Sequence, residues 1–188
     1  FEANFSRSDS IGGSHTTGDI LHPSLSFGEG YGYALAGMIL NDPLIIDTTG
    51  VSQQDGSGEN NLETDSVGDT LKTSQGQNGI LLDGYYSENS VQEVLYDLYD
   101  AGTNDDDSIE LGFAPLYKVL TTGQKTTKSF TSIFSFLYYL KKEAPASVSA
   151  IDALAAAENI NSTSNDEFED PIDPDLPFLY TTIDSEGG

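Results

Sequence analysis

Glu29 is the only charged side chain between Pro23 and Asn41, in the stretch "SLSFGEGYGYALAGMIL". Burying an ionised carboxylate without a partner costs more than one helix can supply, so the residue must be neutralised, paired with a cation or bound to a metal. Arg7 is the nearest candidate for a structural ion pair that would join the opening segment to this helix. A metal is the sharper alternative, because a carboxylate on a Gly-rich, tightly packed helix is held rigidly and can approach an ion fixed by a neighbouring helix. Either way Glu29 is expected on a helix, buried, with its carboxylate turned toward residues 1–5.

Two histidines widen the metal chemistry. His15, His22 and Glu29 recur at intervals of seven, and two imidazoles with a carboxylate make a sound zinc set. The interval crosses Gly18 and Pro23, so equal steps do not place the three on one helical face, and ordinary loop histidines are the competing reading. Tyr31, Tyr33, Tyr85 and Tyr86 could each offer a phenol to an oxyanion, with Tyr33 and Tyr86 the candidates taken forward. The chain has ten tyrosines, so a packing role competes for every one of them. Asp105 and Asp107, in "DAGTNDDDSIE", have the oxygen density of a calcium loop without the glycine that an EF-hand turn needs, and a solvated acidic turn is the alternative.

The elements that must position these groups read as helices. After Pro23, Phe27, Tyr31, Ala34, Leu35 and Met38 form one apolar stripe, while Tyr33, Ala36 and Leu40 continue the side that carries Glu29; a helix apolar all round is a buried helix. Its four internal glycines require a neighbouring backbone at close range to offset their poor helix propensity. "GYYSENSVQEVLYDLYD" predicts a second helix, capped by a box of Ser90 and Glu93. "SFTSIFSFLYYLKK" predicts a third, with Phe130, Ile133, Phe134 and Leu137 at core spacing and two lysines at its C-terminus. "LGFAPLYKVLTTG" reads as a short helix ending near Gly123, and "SVSAIDALAAAENI" as another. Residues 51–78 read as a long polar loop, and "PLIIDT" and "GILLDG" as edge strands or packed loops. The expected organisation is a helical lobe over 1–160 and an acidic, extended tail over 161–188, partly docked through "LPFLY".

Charge narrows the partners. The 188 residues carry 31 Asp and Glu against 7 Lys and Arg, a formal net charge of -24, which repels nucleic acid phosphates and anionic membrane surfaces and favours cations. Cysteine is absent, so no disulfide or thiolate site is possible. The longest strongly apolar run, "IFSFLYYL", is too short to insert in a membrane. Phe1 opens the chain without an initiator Met or a leader, and the sequence reads as a fragment entered part-way through a helix.

"FEANFSRSDSIGGSHTTGD", "SFGEGYGYALAGMILNDP", "GYYSENSVQEVLYDLYD" and "LGFAPLYKVL" resemble a family of secreted bacterial proteins related to the gluzincin zinc metallopeptidases, many of them predicted lipoproteins, over about residues 1–140. The resemblance implies a mainly α fold, the helical lobe of a zincin-like metallopeptidase with long acidic loops. It implies further that an H-E-x-x-H helix runs into Phe1 from upstream, that Glu29 is the third protein ligand of a zinc ion, and that the substrate is a peptide or protein. Two histidines and the general-base glutamate of that motif are absent from this sequence, so the chain as given is expected to lack activity. The location implied is secreted or at a bacterial cell surface, with any lipid anchor on the missing N-terminal part. The alternative from another class is a noncatalytic acidic binding module in which Glu29 pairs with Arg7 and any bound ion is calcium.

Overall fold

A computed structural model describes residues 15, 19–63, 83–100, 109–163, 166–169 and 176–180. In order these form α1 (Pro23–Leu40), β1 (Leu44–Thr49), β2 (Gly56–Asn61), α2 (Glu88–Asp97), α3 (Phe113–Lys118), a π-helical turn (Val119–Gln124), α4 (Ile133–Glu143) and α5 (Val148–Ala157). Short 3-10 turns precede β2 at Val51–Gln53 and α5 at Pro145–Ser147.

The expectation of a mainly α lobe is corrected by the hairpin. Five α-helices accompany a two-stranded antiparallel sheet, with 54% of the described residues helical and 9% in strands, which makes this a small mixed α/β fold. Residues 51–78, expected as a loop, thus begin with half of a hairpin, in which Leu44 pairs with Asn61 and Thr49 with Gly56. β2 reads "GSGENN", with no apolar residue to give a strand period, and its place is set by the backbone ladder to β1. The turn relies on Gly50 at φ 82, where a side chain would also run into Asp55. "PLIIDT" is the other strand; "GILLDG" lies almost wholly outside the described residues.

α1 begins at Pro23, whose fixed φ suits the first helical position, and His22 caps it by accepting the Ser24 N–H at Nδ1, 3.3 Å away. It ends at Asn41 in the left-handed conformation, φ 52, with its N–H returned to the Gly37 carbonyl. Phe27, Tyr31, Ala34 and Met38 are buried as their spacing predicts. The opposite side is not: Gly28, Gly32, Ile39 and Leu40 are exposed, so α1 is a half-buried helix rather than a buried one.

Gly30 lies against the Glu88 carbonyl and the Val91 side chain, and Gly37 against the side chains of Leu62 and Tyr96, so α1 packs closely on α2 at two points seven residues apart on α1. α2 starts a turn earlier than the Ser90–Glu93 box predicts. Ser87 is the cap and accepts the Ser90 N–H, while the Ser90 hydroxyl takes the Gly84 N–H at 3.0 Å. The third predicted helix begins at Ile133, where Ser132 and Ser135 cap each other reciprocally, and Phe130 falls outside it and is exposed. α3 does not stop at Gly123. It passes into the π turn, where the Thr121 and Thr122 hydroxyls donate to the Tyr117 and Lys118 carbonyls, and the Gln124 amide ties its end to Ser132 and Ser135. Lys141, buried near the end of α4, pairs with Asp152 of α5. Residues 176–180 dock on the body: the Tyr85 hydroxyl donates to the Pro177 carbonyl at 2.7 Å, and the Phe130 N–H donates to the Tyr180 hydroxyl at 2.7 Å. No helix among the described residues is long and apolar enough to cross a membrane.

One buried polar side chain on α2 stands against this pattern of satisfied groups. Gln92 is fully buried, and among the described residues neither its oxygen nor its nitrogen has a hydrogen-bond partner. Replacing both polar atoms with an apolar shape removes that desolvation cost, so Gln92→Met is expected to raise stability by about 1–2 kcal/mol in urea melts. A loss of stability would show instead that the amide is bonded in solution.

Candidate functional site

Glu29 stands in the first half of α1, half-buried rather than buried. Among the described residues its carboxylate has no hydrogen-bond or ion-pair partner. Gly28 and Gly32 flank it on the outer side, and a Cβ at either would meet nothing within 4 Å. Among the described residues, nothing closes the space over this part of α1. Residues 1–5 and Arg7, the expected neighbours, lie outside the described residues, as do Asp105 and Asp107.

Tyr33 sits one turn beyond Glu29, partly exposed on the same side. β1 doubles back along α1 from the turn at residues 41–43, which brings Asp47 to Tyr33; the phenol donates to Asp47 Oδ2 at 3.2 Å. Burial raises the Tyr33 pKa, and the carboxylates of Asp47, Glu88 and Glu29 raise it further. All of these act in one direction, so at neutral pH Tyr33 is a protonated phenol and a hydrogen-bond donor. Of the four tyrosines considered as oxyanion donors it alone is partly exposed, and its proton is engaged by Asp47. Tyr31 is buried, with its pKa pushed well up by burial and by Tyr117. Tyr85 and Tyr86 are buried, and their hydroxyls donate to the carbonyls of Pro177 and Asp83.

The two histidines are placed apart in function. His15 Nε2 lies 3.0 Å from Glu88 Oε2, at the start of α2, and His22 serves as the cap of α1. Among the described residues, no group of three or more His, Asp or Glu side chains is arranged to hold a metal ion. Glu29 by itself suits one position of a zinc site: it is an oxygen donor, held on a packed helix, with no described residue close over its flanking glycines. The remaining ligands implied by the resemblance would come from a motif that this sequence does not contain.

Sequence reading did not single out Asp47 or Glu88. Glu88 carried a faint signal, an acid in the first turn of a helix, which reads as a favourable dipole contact and nothing more. Asp47 carried none, because only the reversal of the chain after Asn41 brings it beside Tyr33. Comparison with protein-family models, with curated proteins and with solved structures found no match to this chain.

Proposed function

We propose that this chain is the substrate-cleft portion of a secreted or cell-surface zinc-dependent peptidase, with Glu29 as one protein ligand of the metal. The observation that carries the reading is the state of Glu29: a half-buried carboxylate, the sole charge on its helix, which among the described residues has no partner and nothing close over its flanking glycines. Such a group calls for a cation. The sequence resemblance names zinc as that cation and an H-E-x-x-H helix as the source of the other ligands.

Zinc, when bound, would polarise a peptide carbonyl and lower the pKa of a water. The chain's own residues do the rest. α1 fixes Glu29 through its packing on α2 at Gly30 and Gly37, so the carboxylate position does not depend on a loop. Tyr33, kept protonated by burial and by the carboxylates of Asp47, Glu88 and Glu29, stands one turn from the ligand, where its phenol could turn from Asp47 to receive a developing negative charge on the substrate.

The test uses a protein in which an H-E-x-x-H helix precedes Phe1. Glu29→Gln should weaken zinc binding, measured by calorimetry, by about 100-fold or more and abolish hydrolysis of labelled casein, a ligand change being larger than the 10–100-fold typical of outer partners. His15→Ala should leave zinc affinity within about twofold, since His15 is engaged with Glu88. Zinc binding and hydrolysis unaffected by Glu29→Gln would overturn the proposal and leave the noncatalytic acidic module.

A further inference from the structure

Residues 176–180 dock on a face that other elements build without them. Ser26 of α1 donates through its hydroxyl to the Tyr85 carbonyl at 2.5 Å, while the Tyr85 ring packs on Phe134 of α4 at 5.4 Å and on Tyr86 at 5.3 Å between centroids. Backbone and ring are thus both held, and the Tyr85 hydroxyl donates from this fixed position to the Pro177 carbonyl at 2.7 Å. Phe130 stands two residues before the Ser132 cap of α4, and its N–H donates to the Tyr180 hydroxyl, also at 2.7 Å. The Phe130 and Tyr180 rings meet beside that bond at 5.5 Å, and Leu176 lies against the core. Contacts of three kinds therefore read one short stretch of chain: an apolar side chain, two hydrogen bonds three residues apart, and a ring.

The bound stretch has the character of a ligand. Residues 176–180, "LPFLY", form no helix or strand, and each is half-buried, so they lie on the body rather than within it. Pro177 biases Leu176 toward extended backbone and reduces the conformational freedom that docking must remove. A proline-bearing, extended segment held by tyrosine and other aromatic side chains is a recurring way in which domains read short peptides. We propose that this face is a peptide-binding site for segments in which Leu-Pro precedes a tyrosine with two residues between, and that residues 176–180 occupy it as an internal competitor. The donors and rings of the seat come from α4, the stretch before it and the turn before α2, with α1 as support, so the seat persists when the segment leaves it. A tethered copy acts at about millimolar effective concentration, so a partner peptide enters where its own affinity exceeds that competition or where the segment is withdrawn. Binding here requires neither Glu29 nor a metal.

The probe is the peptide LPFLY with a fluorescein label and an amidated C-terminus, followed by anisotropy. It is titrated with the unmodified full chain and with a full-length double variant, Leu176→Ala with Tyr180→Ala, whose own segment has lost the apolar and ring contacts. The double variant should bind the probe at least about tenfold more tightly than the unmodified chain, in which the tethered copy competes. Adding Tyr85→Phe to the double variant keeps the ring and removes one donor, and should weaken binding by about fivefold. A probe with Ala at the positions of Leu176 and Tyr180 should not bind. Circular dichroism checks the fold of each variant, and Tyr180→Ala alone, which alters a half-buried ring, takes the place of the double variant if that one unfolds. Absence of binding by the emptied chain, equal binding by emptied and unmodified chains, equal binding of the Ala probe, or indifference to Tyr85→Phe would each overturn the assignment.

Discussion

Phe136→Ala is expected to cost about 3–5 kcal/mol, the range for deleting a fully buried aromatic ring. The Phe136 ring is wholly removed from solvent on α4 and packs on Phe27 of α1 at 5.7 Å between centroids; Phe27 in turn stacks on Tyr31 at 6.0 Å. Removing it opens a cavity where α4 meets α1, and both helices are pinned elsewhere, so the void cannot close. α1 is held by the glycine contacts on α2, and α4 by Gln124 and by the Lys141–Asp152 pair. Natural domains have only about 5–15 kcal/mol of net stability, so this one change should lower the melting temperature by roughly 10 °C or leave the chain partly unfolded. Phe130→Ala provides the contrast. Phe130 is 42% exposed and touches chiefly Tyr180, so its loss should cost no more than about 1 kcal/mol. Equal losses for the two would mean that the C-terminal docking at Tyr180 contributes far more than its exposure allows.

The second large effect separates glycines of a single helix. Gly30→Val places a branched side chain where even a Cβ would lie 2.7 Å from the Glu88 carbonyl oxygen and 2.9 Å from Val91 Cβ. The obstacle is the backbone and the stem of a buried side chain, neither of which can turn aside. Overpacking of this kind costs about 1–3 kcal/mol for one or two extra carbons, and the forced separation of α1 from α2 should place Gly30→Val at or above the top of that range. Gly28→Ala should act in the opposite direction: its Cβ meets nothing within 4 Å, so the gain in helix propensity, about 1 kcal/mol, is not offset. Chemical denaturation of both variants reads the difference directly. A destabilising Gly28→Ala would mean that a neighbour occupies the open side of α1 in solution, which for this helix is also the side of Glu29.

These two experiments divide the protein along the line between what the residues announce and what packing decides. The pattern of Phe27, Tyr31, Ala34 and Met38 determined α1 and its buried stripe, because apolar residues at helical spacing have only one way to leave water together. The same rule found α4 and α5, whose apolar positions repeat without interruption. It located α2 as well but set its start a turn late, since two serines can each serve as a cap and only the demand of the Gly84 N–H assigned Ser90 elsewhere. Phe130 satisfied the period and still fell outside the helix, for Ser132 broke the run with its own hydrogen bonds. β2 was beyond reach: "GSGENN" has no side chain that prefers a strand, and a ladder is made by backbone groups that every residue possesses. The sequence likewise determined that Glu29 would be a solitary carboxylate on a Gly-rich helix. Which glycines face a neighbour, and that Asp47 and Glu88 stand around Tyr33 while His15 and His22 are engaged elsewhere, only the tertiary structure decided, because those relations join residues that the chain keeps apart until α1, the hairpin and α2 pack together.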